Sequence, residues 1–176
     1  MSDASSRKNK APPLNAEKLR ALALRYVERY ATSEAKLNRY LGRKLYERGW
    51  DSEKRAQPEA LAQEFVKLGY INDAELAGAK GRASVRKGHG ARRLSQTLYH
   101  DGISEADSAQ AMEEAGQNAR AAADNFARKR RIGPYAEEAA DDDKKRKQLA
   151  AFLRAGHDFD LARKFVEAAP NELMDD

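Results

Sequence analysis

The chain has 176 residues, 35% of them charged and 7% aromatic, with a formal net charge of +5. Because aromatic residues are scarce, the core has to be built mainly from leucine, alanine and valine, which favours an all-α protein. The absence of cysteine excludes disulfides and thiolate metal sites. With no signal peptide or long apolar run in the sequence, we expect a cytoplasmic protein that does not enter a membrane.

Three helices are predicted before Gly69. The first begins after Asn15, whose side chain suits a helix N-cap. The second restarts at Thr32-Ser33-Glu34 and ends at Gly49, and the third has Pro58 in its first turn. Leucine, valine and aromatic residues recur at helical spacing in all three, so each helix is expected to bury one face.

A fourth and a fifth helix are predicted on either side of a Gly88-His89-Gly90 turn. Asn72-Asp73 is a plausible start for the fourth helix, and two glycines one residue apart permit backbone angles that other residues avoid. The fifth helix is closed by Gly102 in the manner of a left-handed cap, and a sixth begins at Ser104. The predicted buried stripe of the fourth helix comprises Leu76, Ala79, Lys80 and Ala83.

Basic residues are concentrated around the same turn. No acid lies between Lys80 and His100, and Tyr99 shares a helix face with Arg92. A solvated helix face is the ordinary interpretation of such a run. The missing acids and a tyrosine able to stack on a base instead favour a polyanionic partner. The basic residues are Lys80, Arg82, Arg86, Lys87, Arg92 and Arg93.

A sequence unit recurs along the chain. Residues 45–50 match residues 98–103, each with a leucine, three residues, a glycine and an apolar residue, and a third copy ends near Gly156 with one residue lost before the glycine. A long acidic connector, 132–143, precedes that third copy. Repeats of this kind predict an elongated, curved array. The predicted segments are a disordered basic arm (1–13), three helical repeats of three helices each (14–69, 70–116 and 117–170) and a C-terminal tail (171–176).

Several of these motifs occur together, in the same order, in one protein family. Residues 69–73, the basic helix after them, residues 88–94 and residues 98–103 closely resemble the RecX family of bacterial regulators of the RecA recombinase. Residues 147–162 resemble the final repeat of that family, and residues 33–49 fit its first repeat. The resemblance extends from about Leu14 to Val166.

This resemblance implies a small, all-helical, non-enzymatic protein of three tandem repeats. Proteins of this family bind the RecA filament on single-stranded DNA, lower its ATPase and strand-exchange activity, and act in homologous recombination, DNA repair and the SOS response. For this chain we therefore expect the RecA filament and single-stranded DNA as partners, with double-stranded DNA as a further candidate. We expect a monomer without a cofactor.

Other kinds of site are disfavoured by the residues themselves. Gly88 and Gly90 lack the third glycine and the preceding strand of a dinucleotide-binding turn. The three histidines are spread over turns and helix ends without metal-ligand spacing. The acids 141–143 are followed by lysines and are interpreted as a solvated linker running into a helix start. No catalytic or metal site is predicted.

The aromatic residues are interpreted mainly as core, because they lie at helical spacing with leucine and alanine. Tyr99 is the predicted exposed exception. The residues assigned to the core are Tyr26, Tyr30, Tyr40, Trp50, Phe65, Phe126, Phe152, Phe159 and Phe165.

The predicted RecA- and DNA-binding surface follows from the charge pattern and the resemblance together. A nucleic-acid-binding module without a recombinase partner is the first alternative, and a helical scaffold for another protein is the second. The primary surface comprises Lys80, Arg82, Arg86, Lys87, Arg92, Arg93 and Tyr99. The supplementary residues are Arg39, Arg43 and Lys44 from the first repeat and Arg128, Lys129, Arg130 and Arg131 from the third.

Overall fold

The computed structural model describes residues 11–172. Most of the predicted basic arm and the end of the predicted C-terminal tail lie outside the described residues. Within residues 11–172 the protein has nine α-helices, a single 3-10 turn and no strand, which confirms the all-α prediction. The elements are α1 (Ala16–Arg29), α2 (Glu34–Arg48), α3 (Pro58–Lys67), α4 (Asp73–Lys87), α5 (Ala91–Asp101), α6 (Glu105–Gln117), α7 (Ala119–Arg130), the 3-10 turn (Gly133–Tyr135), α8 (Asp142–Arg154) and α9 (Phe159–Glu167).

Predicted capping residues account for four of the helix ends. The Asn15 Oδ1 atom accepts a hydrogen bond from the Lys18 backbone N–H at 2.9 Å. Ser33 and Ser104 cap α2 and α6 in the same way. Gly102 ends α5 with φ 75° and ψ 25°, the left-handed conformation that glycine adopts without strain. These helix boundaries therefore follow from local chemistry.

The described residues up to Asn72 form one compact unit. Helices α1, α2 and α3 enclose its apolar cluster, which includes Leu19, Leu41 and Phe65. Leu14 is also buried there, because its backbone N–H donates to the Gly49 carbonyl at 3.0 Å ahead of the first helix. The predicted first repeat thus has an apolar core of its own.

The described residues from Asp73 to 172 form a second compact unit with two apolar clusters. One cluster lies among α4, α5 and α6, and the other among α7, α8 and α9. Helix α4 contacts α5, α6 and α7. The predicted stripe on α4 is wrong in its phase, because Ala79 is exposed whereas Ala77, Gly81 and Ser84 are buried. Residues this small allow the neighbouring backbones to approach closely, so size decides which face of α4 is buried.

The Gly88-His89-Gly90 turn is held by the turn that links α8 to α9. The Gly90 N–H donates to the Ala155 carbonyl at 2.9 Å, and the Arg92 N–H donates to the Gly156 carbonyl at 3.2 Å. Gly88 has the expected positive φ of 78°. Gly90 does not, with φ −75°; it is glycine because an added Cβ would lie 2.2 Å from the Gly156 oxygen. We name this pair of turns the interlocked turns, residues 88–90 and 155–157.

The third copy of the repeated unit has a different register from the one predicted. Phe152 is buried as Leu98 is, and a glycine follows four residues later in both segments, at Gly156 and Gly102. No residue is lost before the glycine in the third copy. His157 consequently occupies the position that Ile103 has in the second copy.

His157 is 2% exposed and packs against the rings of Phe126 and Phe152. Its Nε2 atom lies 3.0 Å from the Gly88 carbonyl oxygen, and an N–H at this nitrogen donates to that oxygen. Burial lowers the pKa of His157, an effect that the hydrogen bond to Gly88 partly offsets and nearby His89 reinforces. The imidazole therefore prefers to remain neutral in the folded protein.

This lowered pKa makes stability depend on pH. Since the unfolded chain binds the proton more readily than the folded one, the free energy of unfolding should decrease as the pH falls through 6.5, the ordinary pKa of the ring. The loss should stop below the folded-state pKa. Urea unfolding between pH 8 and pH 5 checks this, with His157→Gln as the control that retains a donor for Gly88. An equal pH dependence in both proteins would contradict the assignment.

The predicted connector before α8 is packed at its beginning and solvated at its end. Gly133 and Pro134 are buried, and the Tyr135 hydroxyl donates to the Asp124 carboxylate of α7. The Asp141 side chain caps α8 by accepting from the Lys144 N–H at 2.7 Å. The expected helix start is confirmed, but Asp142 and Asp143 belong to the first turn of α8, so the connector ends at Asp141 and not at Asp143.

Candidate nucleic-acid interface

The predicted surface residues of α4 do not share one environment. The Lys80 ammonium lies 2.9 Å from the Asp101 carboxylate, which is buried at the end of α5. Asp101 is the first acid after the basic run, and it engages the first cation of that run. Lys80 therefore links α4 to α5. Arg82 and Arg86 are exposed and line a cavity of about 180 Å³ that also contains Glu114 of α6.

A larger cavity, of about 450 Å³, lies beside the interlocked turns. We name it the cationic cleft. Five of its lining side chains are cationic and none is a carboxylate. It joins residues of the predicted primary and supplementary groups in one place. The lining residues are Lys87, His89, Arg93, Phe126, Lys129, Arg130, Ala151, Arg154 and Ala155.

Helix termini explain why cations collect in this cleft. Lys87 lies in the last turn of α4, Lys129 and Arg130 in the last turn of α7, and Arg154 in the last turn of α8. The carbonyl end of a helix carries partial negative charge, so basic residues are favoured at each of these ends. Lys129 shows this directly, because its ammonium donates to the Arg86 carbonyl at 2.7 Å. Three converging helix ends thus concentrate positive charge.

The His89 side chain has a lowered pKa in the cleft. Burial lowers this pKa most, and the neighbouring charges of Arg93, Lys87 and Lys129 lower it further. The imidazole is therefore held neutral beside the cations. Positive charge that is not balanced locally attracts anions, above all phosphates, which guanidinium groups bind with two parallel hydrogen bonds.

The remaining predicted residues of this unit lie outside the cleft. Arg92 is exposed, and Tyr99 is 86% exposed on the same helix. Arg128 lies over the Tyr135 ring at 4.4 Å and within 3.4 Å of the Asp124 carboxylate. Arg131 pairs with Glu137 at 2.9 Å. The structure therefore divides the predicted surface into cations that line the cleft, cations with acidic partners and exposed cations on outer faces.

The first unit has a separate cavity of about 520 Å³ between α1 and α2. We name it the tyrosine–arginine cleft. Arg43 and Lys44 line it as two of the supplementary residues, whereas Arg39 is exposed and does not line it. Both cations lie near Glu47, whose pKa is lowered chiefly by a hydrogen bond from Lys44. The lining residues are Leu22, Arg25, Tyr26, Arg29, Tyr30, Tyr40, Arg43 and Lys44.

Two aromatic residues assigned to the core are exposed. Tyr30, the residue after α1, is 49% exposed and borders the tyrosine–arginine cleft. Phe159 is 46% exposed. It is the first residue of α9, and the buried residues of this helix come later, at Ala162, Phe165 and Val166. The prediction was wrong for both because residues at a helix end can leave the apolar stripe without breaking its spacing.

Three arginines of the two clefts were not predicted as site residues. Arg154 lines the cationic cleft, and Arg25 and Arg29 line the tyrosine–arginine cleft. Arg29 and Arg154 each lie in the last turn of a helix. A search for basic residues in last turns would have found these two, whereas no sequence signal singles out Arg25.

Neither a metal site nor a membrane-spanning helix has a candidate among residues 11–172. No group of three or more histidine, aspartate or glutamate side chains in this range is arranged to hold a metal ion. None of the helices in the described part is both long and apolar enough to span a bilayer.

Known proteins resemble this chain in sequence and in fold. No family model matches the chain. A protein named Regulatory protein RecX, from Myxococcus xanthus (strain DK1622), is 31% identical over 119 residues, which make up 64% of this chain and 64% of that protein. The crystal structure of RecX from Lactobacillus salivarius matches with a TM-score of 0.60 at 16% identity, over 86% of this chain and 94% of that one. The sequence match supports the resemblance of this chain to the RecX family. The structural match shows that this chain shares its fold with the Lactobacillus salivarius protein.

Proposed function

We propose that this protein binds the RecA nucleoprotein filament and lowers its ATPase and strand-exchange activity. The observation that carries this proposal is the cationic cleft, in which five cations from four helices meet without a carboxylate. The regulatory name of the sequence relative supports the same conclusion. The surfaces of a nucleoprotein filament present phosphates and protein carboxylates, and the cleft suits either group.

The geometry of the cleft favours an extended anion over a single small ion. Its volume of about 450 Å³ lies within the range of ligand-binding cavities. Arg93 lines it from the first turn of α5, and Arg154 lines it from the last turn of α8. No carboxylate lines the cleft beside either guanidinium group, so both are available to a partner. A phosphate backbone that follows the cleft would contact both arginines.

Direct binding to nucleic acid without a recombinase is the second candidate function. The same absence of carboxylates in the cleft favours it. It differs in its salt dependence, because an interaction made only with phosphates weakens steeply as salt rises. Binding that persists at high salt when RecA is present would instead indicate contacts with the recombinase.

The test is DNA-dependent ATP hydrolysis by RecA from the same organism, titrated with this protein at amounts well below those of RecA. Suppression at such ratios is the expected result, because a regulator that acts on a filament affects many subunits at once. Unchanged hydrolysis together with salt-sensitive binding to bare DNA would reject the proposal in favour of the second candidate.

A further inference from the structure

We propose that the tyrosine–arginine cleft binds one unstacked nucleotide, with the base against tyrosine and the phosphate on arginine. This site lies in the first unit and does not depend on the cationic cleft or on a recombinase. The shared chemistry is an aromatic base joined to a phosphate, which occurs both in single-stranded nucleic acid and in a free nucleotide.

Aromatic rings form the wall of this cleft. The Tyr26 and Tyr40 rings stack on one another with centroids 4.2 Å apart and planes 19° apart. Tyr30 continues the wall, with its ring centroid 5.2 Å from that of Tyr26. Because Tyr26 and Tyr40 also pack on the apolar cluster of the unit, the wall is fixed before any ligand binds. Tyr30 remains half exposed, so its ring is the surface available to an incoming base.

Four cations surround these rings, but they are not equally available. Arg43 and Lys44 share Glu47, at 3.7 Å and 2.6 Å respectively. Arg25 and Arg29 lie one helical turn apart on α1, and no carboxylate is among the residues that line the cleft with them. Arg29 lies over the Tyr30 ring at 5.5 Å, so a charge that binds phosphate adjoins the surface that would stack on the base.

A nucleotide suits this combination better than an acidic peptide does. A run of carboxylates would use the cations and leave the tyrosine face without a partner, whereas a nucleotide uses both. The cleft has no acidic residue in its lining to repel a phosphate, and its volume of about 520 Å³ is in the range of small-ligand sites.

The test compares fluorescence anisotropy of labelled oligothymidylate with that of an abasic oligomer of the same length, using the full chain without RecA. Both oligomers carry the same phosphates, so the ratio of their affinities isolates the contribution of the base. The natural protein should prefer the base-containing oligomer by about tenfold. Tyr30→Ala should bring the ratio close to one, whereas the control Tyr46→Ala, at a 93% exposed tyrosine outside the cleft, should leave it unchanged.

The phosphate contact is tested by Arg29→Ala against Arg55→Ala, an exposed arginine outside the cleft. Arg29→Ala should weaken binding of both oligomers more than Arg55→Ala does. Thymidine monophosphate as competitor distinguishes the two sources, because it displaces the oligomer at comparable concentration only if a free nucleotide suffices. Equal affinity for the two oligomers, or competition by polyglutamate as strong as that by oligothymidylate, would overturn the proposal. Because RecA is absent, this result is independent of the proposed regulatory function.

Discussion

Replacing Gly90 by alanine should lower the free energy of unfolding by about 3 kcal/mol, since an added methyl group would meet the backbone of the facing turn, residues 155–157. The new Cβ would lie 2.2 Å from the Gly156 oxygen and 2.5 Å from the His157 nitrogen. Neither atom can move as the end of a side chain could, so the turns would have to separate. Urea unfolding, followed by circular dichroism, measures the change.

The matched control is Gly116→Ala in the same unit. An alanine Cβ at this position meets nothing within 4 Å, and Gly116 lies inside α6. Because alanine favours a helix more than glycine does, the free energy of unfolding of this variant should rise by about 0.5 kcal/mol. If Gly90→Ala were as stable as the natural protein, that result would contradict the close approach of the two turns.

Reversing the charge of Arg93 and Arg154 together should weaken single-stranded DNA binding by tenfold or more, on the order of 1.4 kcal/mol. Each substitution removes a cation from the cationic cleft and adds an anion, so a bound phosphate would be repelled. The logarithmic dependence of affinity on salt should become shallower by about 1.4, as expected when roughly two phosphate contacts are lost. Suppression of the RecA ATPase by this variant should weaken in parallel.

The control for this variant is Arg82→Glu with Arg92→Glu. It changes the net charge by the same amount, but neither residue lines the cationic cleft. It should retain most of the affinity if the cleft is the binding site. Equal losses in the two double variants would show that overall charge matters and that the cleft has no special role. Circular dichroism would check that both proteins remain folded.

The helix boundaries were predictable because they depend on residues close in sequence. Asn15, Ser33 and Ser104 cap helices through their own side chains, and Gly102 ends α5 through its own backbone angles. The buried face of α4 was not predictable in the same way. Its phase depends on how closely α6 and α7 approach, and hydrophobic spacing does not record that small residues such as Gly81 permit this approach.

The sequence predicted most of the basic residues of the cationic cleft, but it did not predict which of them lie together. Lys87 and Arg93 were assigned to the primary surface and Lys129 and Arg130 to a supplementary one, yet all four line the cationic cleft. Their proximity arises from the packing of α7 and α8 against the turn after α4, which no local pattern encodes. The ion pair between Lys80 and Asp101 is likewise a contact between two helices, and the local sequence does not predict it.

The interlocked turns also bear on how the second unit unfolds. The Gly90 and Arg92 amides donate to the Ala155 and Gly156 carbonyls after α8, so the α4–α6 cluster cannot separate from the α7–α9 cluster without breaking these hydrogen bonds. In an array of independent repeats, one end can fray while the rest stays folded. Here the two clusters share a backbone junction, so we expect their stabilities to be coupled and the second unit to unfold as a single cooperative unit.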